Sequence, residues 1–528
     1  MSTNSDFPDW LRDRPLVEAV ALELPQPSLG DNTGDADRLV RALAHKGIAP
    51  VRFRPSQMGR LVRSMRSGNF RFSVVIGSVD SGWEILDIVP GTSAPPVLGF
   101  AVDLGTSGIV FRLIDIPGRK VLSENAILNP QIPFGEDILS RILFARTEEG
   151  LRAIREPLLD ACRLSMRDAV ASSGFSPENV YAVSCAGNTA MSHFFWGLDP
   201  SNICREPYIP AANSFPMSRA VEIGLDCLPN ALLYLFPNVG SYVGGDVIAG
   251  ILATGLHESS EPRMLIDVGT NAEVILGNSE WLLACAGAAG PALEGGVGEC
   301  GMPAVPGAID RVRIDRDSLA PSWRVIGDEK PSGLCGSGLI DLVAEMFAAG
   351  IITVQGKFPP EIRSPRIRET AEGRVYVVAE PSQTLHRKSI VISEIDIGVF
   401  LKSKAAMYTI LSVISGKVGL TFGQIQSIYI AGNFGNRIDP EMAVRIGMIP
   451  DLPLETYRGI GNSSVLGASM LLLDRTISDM AEQVRSRITY VELNVNFELM
   501  NEFRGALFIP HTDRRLFPSV RIPRVIAG

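Results

Sequence analysis

Ala101-Val-Asp-Leu-Gly-Thr-Ser-Gly108 returns later in the chain as Leu265-Ile-Asp-Val-Gly-Thr-Asn-Ala272. Each copy reads as an apolar strand that ends in an Asp and is followed by a Gly-Thr turn. The separation of Asp103 and Asp267 along the chain fits two halves of one fold better than a solenoid repeat. Because short Val- and Ile-rich strands alternate with helical stretches around both copies, we predict an α/β fold with two duplicated lobes.

A Gly after such a strand lets the backbone turn tightly, so that consecutive amide N–H groups can bind phosphate oxygens. A phosphate chain carries more charge than amides alone offset, and Mg²⁺, which keeps several waters, takes one or two carboxylates. We therefore predict Asp103 and Asp267 as metal ligands. The turn residues predicted to bind phosphate are Gly105, Thr106, Ser107 and Gly108 in the first copy and Gly269, Thr270 and Asn271 in the second.

Three further glycine-rich segments fit a nucleotide site. Residues 332–338 precede an apolar helix, whose N-terminus would attract anions; a flexible loop with Ser337 as the helix cap is the alternative. Residues 431–435 follow a strand, and their small side chains would let a purine ring lie against the backbone. Residues 286–296 form a third turn with few Cβ atoms. The residues predicted to bind nucleotide in these segments are Gly333, Gly336, Ser337, Gly338, Gly432, Asn433 and Gly435.

The chain divides into four predicted parts. Residues 1–35, with four prolines and several acids, form a loosely ordered lead-in, and residues 36–96 form a small α+β unit. Residues 97–260 form the first lobe and residues 261–528 the second, with a nucleotide cleft between them. Strands are predicted at 74–76, 83–89, 98–103, 109–116, 180–184, 264–267, 272–276 and 427–430, and helices near Leu39 and Leu61 and at 151–171, 246–255, 337–349, 397–416 and 463–474.

The composition of the 528 residues limits the function classes. With 46% hydrophobic residues the chain is globular, and 49 Lys and Arg against 58 Asp and Glu argue against a general nucleic-acid binder. The N-terminus lacks the basic and then apolar run of a signal peptide, and no clean stretch of about 20 apolar residues predicts a membrane span. Seven cysteines are scattered without a C-x-x-C pair, which favours a cytoplasmic location with reduced thiols.

One window of the small unit is strongly basic, with nine Arg and Lys residues and neither Asp nor Glu. It is either a solvated face or a docking surface for an acidic protein, since opposed potentials speed encounter and fix orientation. The window runs from residue 38 to residue 71 and contains Arg38, Arg41, Lys46, Arg52, Arg54, Arg60, Arg63, Arg66 and Arg71.

Longer motifs carry a family resemblance. Besides the two Asp turns, they are Asn129-Pro-Gln-Ile-Pro-Phe-Gly-Glu-Asp-Ile-Leu-Ser-Arg141, Gly187-Asn-Thr-Ala-Met191, Leu198-Asp-Pro200, Gly244-Gly-Asp-Val-Ile-Ala-Gly250, Ala288-Ala-Gly-Pro-Ala-Leu-Glu-Gly295, Gly333-Leu-Cys-Gly-Ser-Gly-Leu-Ile-Asp341 and Ala431-Gly-Asn-Phe-Gly-Asn436. The duplicated turns and the late Ala-Gly-x-Phe-Gly resemble the phosphate-1, phosphate-2 and adenosine motifs of the acetate kinase, sugar kinase, heat-shock and actin superfamily. The whole set resembles the ATP-dependent reductive activators of corrinoid-dependent proteins.

The resemblance implies an actin-like ATPase that binds ATP and Mg²⁺ and promotes reduction of Co(II) to Co(I) in a corrinoid protein, and it favours a homodimer. Such activators usually begin with a ferredoxin domain that holds a two-iron, two-sulfur cluster, whereas residues 1–96 contain no Cys. We therefore expect no iron–sulfur cluster in this chain and a separate ferredoxin as electron donor, with the basic window as its candidate docking surface. Ala272 and Asn433 depart from the family pattern but stay compatible with nucleotide binding.

ATP hydrolysis needs a carboxylate that orients water. Asp246, at the start of a predicted helix, and Glu273, just after the second turn, are the candidates, and a helix N-cap is the alternative role for Asp246. His193, beside three aromatic residues, is predicted as a packed core histidine rather than a metal ligand. Buried thiols without a catalytic role are predicted at Cys285, Cys300 and Cys335.

Three other functions are weighed against the activator. A small-molecule kinase of the same superfamily would transfer phosphate to a metabolite, and a nucleotide-gated scaffold would bind its partner without significant turnover. An ATPase stimulated by a corrinoid protein would separate the activator from both. An electron carrier with its own haem or cluster is disfavoured by the scattered cysteines.

Overall fold

The computed structural model describes residues 7–8, 10–80, 82–269, 271–288, 290, 296–371, 373–435, 437–492 and 497–523. By its internal contacts the chain forms two compact units. The first unit comprises Met1–Ala253 and Ser463–Arg487, and the second comprises Thr254–Asn462 and Ile488–Gly528. A helical segment from the C-terminal half of the sequence therefore belongs to the first unit.

The N-terminal part of the first unit is a four-stranded sheet of order β1-β3-β4-β2 with two helices. Its elements are β1 Val17–Glu23, α1 Asp35–His45, β2 Val51–Arg52, α2 Pro55–Ser67, β3 Arg71–Val79 and β4 Gly82–Pro90. The predicted helices and strands of this region are confirmed. The expectation of a loosely ordered lead-in is wrong for Val17–Glu23, because this segment pairs residue by residue with β3 and buries Val17 and Leu22.

The rest of the first unit is built on a six-stranded sheet of order β7-β6-β5-β8-β10-β9. Its elements up to residue 254 are β5 Leu98–Leu104, β6 Gly108–Asp115, β7 Lys120–Leu128, α3 Ile138–Phe144, α4 Glu148–Ser172, β8 Val180–Gly187, α5 Thr189–Trp196, β9 Ser218–Arg219, α6 Ala220–Ile223, β10 Leu232–Leu235 and α7 Gly245–Thr254. The core between the sheet and its helices contains Phe100, Phe111, Leu158 and Phe194, all fully buried.

A second six-stranded sheet, of order β21-β20-β11-β12-β13-β22, forms the centre of the second unit, beside two three-stranded sheets of order β15-β14-β16 and β17-β18-β19. The elements after residue 260 are β11 Arg263–Val268, β12 Asn271–Gly277, β13 Leu282–Ala288, β14 Ala308–Ile314, β15 Pro321–Val325, β16 Gly333–Leu334, α8 Gly336–Ala348, β17 Ile367–Thr370, β18 Gly373–Ala379, β19 Ile390–Ser393, α9 Glu394–Lys417, β20 Ser427–Ala431, α10 Gly432–Gly435, α11 Pro440–Arg445, β21 Tyr457–Gly461, α12 Ser463–Leu473, α13 Thr476–Arg487, β22 Ile488–Tyr490 and α14 Phe497–Ala506. Of these, α12 and α13 belong to the first unit.

The two six-stranded sheets share the order and direction of five strands, which confirms the predicted duplication. In the first, β5, β6 and β7 form an antiparallel meander, and β8 and then β10 continue from β5 as parallel strands. In the second, β11, β12 and β13 form the same meander, and β20 and then β21 continue from β11 as parallel strands. In each sheet the Asp of the repeated motif lies at the carboxyl end of the first strand, which is the edge where open α/β sheets bind ligands.

Helix α9 is the single helix among the described residues that is long and apolar enough to cross a membrane. Within its most apolar window, 72% of the helix is buried inside the fold. Phe400, Leu411 and Ile414 belong to the core of the second unit. This burial is typical of the central helix of a globular core.

The basic window of the small unit is largely neutralised by carboxylates from outside it. Six of its nine cations form ion pairs, and three of the acceptors, Glu84, Asp35 and Asp87, have nearly buried side chains. The pairs are Arg38–Asp31, Arg52–Asp80, Arg54–Glu84, Arg60–Asp87, Arg66–Asp35 and Arg71–Glu23. The net positive charge of this face is therefore smaller than the composition suggested, because the composition counted the cations without the acids that fold onto them. Docking of an acidic protein at this face stays a prediction.

The thiols and His193 behave as predicted. All seven cysteines are free, and six of them are buried. Burial raises the pKa of Cys285 and Cys300 to about 12, so these thiols stay protonated. His193 is fully buried; its Nδ1 donates to the Thr189 carbonyl at 2.7 Å and its Nε2 accepts from the Ala212 amide at 3.3 Å. Both ring nitrogens of the neutral imidazole therefore form hydrogen bonds inside the core.

We predict that His193 makes the first unit less stable in mild acid. Burial lowers the pKa of His193, so the unfolded chain takes up the proton first as the pH falls below about 6.5. The stability that the neutral ring contributes is complete above that pH and is lost below it. Urea unfolding at about pH 7.5 and about pH 5.5 should show a larger loss for the wild type than for His193→Gln. His386→Gln, at an exposed ring, should keep the wild-type pH dependence; an equal dependence in His193→Gln would contradict the prediction.

Candidate functional site

The first repeated motif places Asp103 near the end of β5, the first strand of its meander. Asp103 faces Ala186 of the parallel strand β8 and Val110 of β6. Ser464, in the first turn of α12, donates its hydroxyl to Asp103 Oδ1 at 3.0 Å. The Asp103 carboxylate is thus fixed by a residue 361 positions away along the chain. Sequence reasoning missed Ser464, since no local pattern connects it with Asp103.

The backbone of the first turn is held by donors at three consecutive carbonyls. Asn129 Nδ2 donates to the Gly105 carbonyl at 2.8 Å, Arg141 Nη1 to the Thr106 carbonyl at 2.7 Å, and the Asn129 amide to the Ser107 carbonyl at 3.0 Å. Because the N–H of a trans peptide points opposite to its carbonyl, the amides of residues 106–108 point away from these donors. This is the arrangement that a phosphate-binding turn needs.

The turn is also tight, and it is linked to the end of the neighbouring strand. A Cβ atom on Gly105 would lie 2.4 Å from the Gly108 carbonyl oxygen, so only glycine fits there. Asn188, which follows β8, donates Nδ2 to Thr106 Oγ1 at 2.9 Å. The motifs that begin at residues 129 and 187 therefore converge on the first turn.

Asp246 lies close to the same strand end. It is the second residue of α7, and the preceding residue, Gly245, donates its amide to Asn238 Oδ1 at 3.1 Å. A Cβ on Gly244 would lie 2.7 Å from Asp246 Oδ1 and 2.4 Å from the Cα of Asn188. Asp246 thus lies inside the first turn of α7, which corrects the alternative that it is the cap before the helix. A carboxylate there is favourable to the helix dipole.

The second repeated motif brings two predicted carboxylates together. Asp267 of β11 is the direct register partner of Glu273 on the antiparallel strand β12. Directly opposite residues have Cβ atoms about 4.5–5.5 Å apart on one face, and like charges there repel each other. Asp267 also faces Ala431 of β20, and a Cβ on Gly432, whose φ is +81°, would lie 3.3 Å from Asp267 Oδ1. The second turn and the start of the 431–435 segment are therefore neighbours.

The two turns differ in length by one residue, although the two motifs align in sequence without a gap. Three residues, 105–107, separate β5 from β6, whereas two, 269–270, separate β11 from β12. The partner of Asp103 is accordingly Val110, while the partner of Asp267 is Glu273. Gly269 donates its amide to the Asn271 carbonyl at 2.8 Å. Thr270, predicted to bind phosphate, lies outside the described residues.

The segment 333–338 contributes to packing inside the second unit, in addition to its predicted role in nucleotide binding. Its helix α8 begins at Gly336 with Cys335 as the N-cap residue, so the alternative in which Ser337 caps the helix is wrong. Ser337 is buried, and its hydroxyl lies 3.3 Å from Cys335 Sγ. A Cβ on Gly338 would lie 2.1 Å from the Ile309 carbonyl oxygen, so this glycine lets α8 approach β14. Gly333 is likewise buried.

The segment 432–435 forms a short helical turn, α10, after β20. A Cβ on Gly435 would lie 2.2 Å from the Ile430 carbonyl oxygen, so the turn depends on this glycine. Just beyond it, Arg437 donates Nη1 to Asp310 Oδ2 at 3.2 Å, and Asp310 follows the residue that Gly338 contacts. This ion pair joins Arg437 to β14, the strand against which α8 packs. The side chain of Asn433 and residues 289 and 291–295 of the third glycine-rich turn lie outside the described part of the chain.

The donor set fits a hydrated Mg²⁺ rather than a protein-enclosed metal. Within the described residues, no group of three or more His, Cys, Asp and Glu side chains could hold a metal ion. Mg²⁺ usually keeps several waters and takes one or two carboxylates together with substrate phosphates. Asp267 and Glu273, placed opposite each other, meet that requirement.

Comparison with known proteins identifies the family. Three family models match consecutive parts of the chain: the RACo linker region at residues 12–94, the RACo middle region at 98–259, and the C-terminal domain of RACo, the ASKHA domain, at 261–521. The corrinoid activation enzyme RamQ of Eubacterium limosum is 30% identical over 423 residues, which are 78% of this chain and 70% of that enzyme. The chain belongs to the RACo family. Its C-terminal ASKHA domain accounts for the actin-like fold predicted from the repeated motif.

Two further similarities agree with the RACo assignment. A solved structure described as a reductive activator for corrinoid, iron-sulfur protein superposes with a TM-score of 0.89 at 37% identity, covering 97% of this chain and 82% of that one. The [Co(II) methylated amine-specific corrinoid protein] reductase of Methanosarcina barkeri is 26% identical over 431 residues, 74% of this chain and 73% of the reductase. The resemblance stated from the sequence is thereby confirmed.

We predict that the first turn tolerates no side chain at Gly105. Gly105→Ala places a Cβ against the Gly108 carbonyl and should lower the free energy of unfolding by about 1–3 kcal/mol. Gly59→Ala is the matched control, because a Cβ inside α2 would meet only Arg63 Nη1 at 3.9 Å and should stabilise the helix by about 0.5–1 kcal/mol. Urea unfolding followed by circular dichroism measures both changes. A neutral Gly105→Ala would contradict the tight turn.

Proposed function

We propose that this RACo-family chain uses ATP binding and hydrolysis to promote reduction of Co(II) to Co(I) in a partner corrinoid protein. The observation that carries the proposal is the pair of strand-end carboxylates, Asp103 and Asp267, each followed by a glycine turn within the same repeated sheet topology. The relatives support it, since they are named as a corrinoid activation enzyme, a corrinoid protein reductase and a reductive activator.

Energy from ATP is needed because reduction of a Co(II) corrinoid is uphill from ordinary donors. Each ~59 mV of a one-electron gap costs about 1.4 kcal/mol. A nucleotide can shift such an equilibrium only if its bound states differ in affinity for the partner. We therefore infer that the ATP and ADP forms of the chain bind the corrinoid protein with different affinities, and that hydrolysis drives the exchange between them.

In this proposal the binding of one Mg-ATP depends on both repeated turns. The carbonyls of residues 105–107 are already occupied, so the amides of 106–108 are oriented to donate to phosphate oxygens. Asp267 would hold the Mg²⁺, which supplies positive charge to the phosphates, and Asp103 stays the predicted second metal ligand. The segment 431–435 would receive the adenosine, and the ion pair of Arg437 with Asp310 would hold that segment near β14.

Hydrolysis requires a carboxylate that orients the attacking water. We assign this role to Asp246 or Glu273. Asp246 lies near the Asn188 and Thr106 contact of the first turn, whereas Glu273 lies opposite Asp267 at the second. If Glu273 is a metal ligand, Asp246 is the water-orienting group. Replacing each residue in turn would assign the roles, because loss of a metal ligand should change the Mg²⁺ dependence of turnover, whereas loss of the water-orienting group should lower turnover alone.

The proposed partners are a corrinoid protein and a separate ferredoxin that supplies the electron, in a cytoplasmic setting and with the chain as a homodimer. Residues 1–96 contain no Cys, so a thiolate-held cluster in that region has no ligands. Within the basic window, the cations outside recorded ion pairs are Arg41, Lys46 and Arg63, so an acidic donor would meet a smaller positive surface than composition implied.

We predict that Asp267→Asn abolishes activation. With a corrinoid protein, a low-potential electron donor and Mg-ATP, the variant should lower both ATP turnover and Co(I) formation by about 100-fold or more, because loss of the carboxylate weakens binding of the Mg²⁺ that stabilises charge at the phosphates. Phosphate release and the absorbance of Co(I) measure the two rates. Asp317→Asn, at an exposed carboxylate of the same unit, is the control and should match the wild type.

Three outcomes of that experiment would contradict the proposal. Normal Co(I) formation by Asp267→Asn would show that activation does not need the nucleotide site, and it would favour the nucleotide-gated scaffold without significant turnover. Transfer of phosphate to a metabolite, without stimulation by the corrinoid protein, would favour the kinase. A wild-type chain that leaves the rate of Co(I) formation unchanged in the presence of Mg-ATP would remove the activator function itself.

A further inference from the structure

Arg141 is a buried cation without a carboxylate partner, and it contacts the first repeated turn. Its side chain on α3 has no exposed surface. Nε donates to the Gly135 carbonyl at 2.8 Å and Nη1 to the Thr106 carbonyl at 2.7 Å. Nη2 is buried and has no hydrogen-bond partner among the described residues. Across the same residues, no Asp or Glu lies within ion-pair distance of Arg141.

A second buried arginine in the first unit has the acidic partner that buried cations usually have. Arg219 is as deeply buried as Arg141, but its Nη1 lies 3.4 Å from Glu84 Oε1 and its Nη2 donates to the Pro229 carbonyl at 3.1 Å. Buried charges are normally paired in this way, because an unpaired ion loses its hydration without compensation. Burial lowers the pKa of Arg141, yet a guanidinium stays protonated in proteins. Asp137 favours the charged form from beyond ion-pair distance, so Arg141 brings to the turn a positive charge that no carboxylate pairs directly.

The local structure holds Arg141 in this position. Asp137 caps α3 by accepting from the Ser140 amide at 2.9 Å, which fixes the first turn of the helix. A Cβ on Gly135 would lie 2.6 Å from Ser140 Cβ, so the chain before the helix folds closely over it. The guanidinium is thus held at the turn by its own helix and by two backbone carbonyls, and one nitrogen remains for another group.

We propose that Arg141 binds through Nη2, beside the Thr106 carbonyl, a phosphate oxygen of the nucleotide other than those that the amides of residues 106–108 face. The proposal rests on the proposed function, since it assigns a further residue to the same nucleotide. Guanidinium suits this task because its planar fork can hold two acceptors at once, here the Thr106 carbonyl and a phosphate oxygen. An anion at Nη2 would compensate the buried charge, and it would link phosphate occupancy to the backbone of residue 106.

Calorimetric binding of Mg-AMPPNP and of adenosine, which has no phosphate, tests the assignment. Arg141→Gln and Arg141→Lys should weaken AMPPNP binding by about 10- to 100-fold and leave adenosine binding within about twofold of the wild type. The Lys variant keeps the charge but lacks the fork, so it should lose less than the Gln variant. Arg219→Lys, which changes a buried arginine away from the turn, should leave both affinities unchanged.

Equal losses for AMPPNP and adenosine would make Arg141 a structural residue and overturn the assignment. If both Arg141 variants fail to fold, a crystal structure of the wild-type chain with Mg-AMPPNP decides. A phosphate oxygen within hydrogen-bond distance of Nη2 supports the assignment, whereas water on Nη2 with the phosphates elsewhere overturns it. A wild-type chain that binds adenosine and AMPPNP equally also overturns it. A wild-type chain that binds neither ligand instead overturns the proposed function, so the two failures are distinguishable.

Discussion

Close approach of backbone to backbone at the strand ends is the constraint on which both units depend. A Cβ on Gly105, Gly435 or Gly338 would lie 2.1–2.4 Å from a carbonyl oxygen of a neighbouring segment, a separation that side chains cannot adopt. Gly105 and Gly435 follow the carboxyl ends of β5 and β20, where polar backbone groups can face a ligand, and Gly338 brings α8 against β14. The same constraint operates twice, because the sheet that carries it is duplicated.

The charges at the two turns are different, although the motifs are alike. The first turn has one strand-end carboxylate, Asp103, held by Ser464, and a buried guanidinium that contacts the turn backbone. The second has two carboxylates in direct register, Asp267 and Glu273. The first arrangement suits anionic phosphate oxygens, and the second suits a hydrated cation. One extra residue in the first turn accounts for the different register partners.

Local sequence predicted the elements well, because strand and helix patterns are carried by neighbouring residues. Both Asp hairpins, α4, α8 and the late strand β20 lie where the apolar periodicity indicated. The failures involve distant pairs. The strand Val17–Glu23 was hidden by the surrounding prolines and forms only against β3. Ser464 reaches Asp103 across 361 positions, and the acids that neutralise the basic window lie outside it. Arg141 was visible as a motif residue, but its burial without an acid was not.

The central proposal is that the strand-end carboxylate of each repeated turn contributes to nucleotide binding. The most direct test is the stoichiometry and affinity of Mg-AMPPNP binding to the wild-type chain, to Asp103→Asn and to Asp267→Asn, measured by titration calorimetry. The account predicts one nucleotide per wild-type chain and an affinity at least about tenfold lower in each variant. Two nucleotides per chain, or an Asp103→Asn variant that binds as tightly as the wild type, would contradict it.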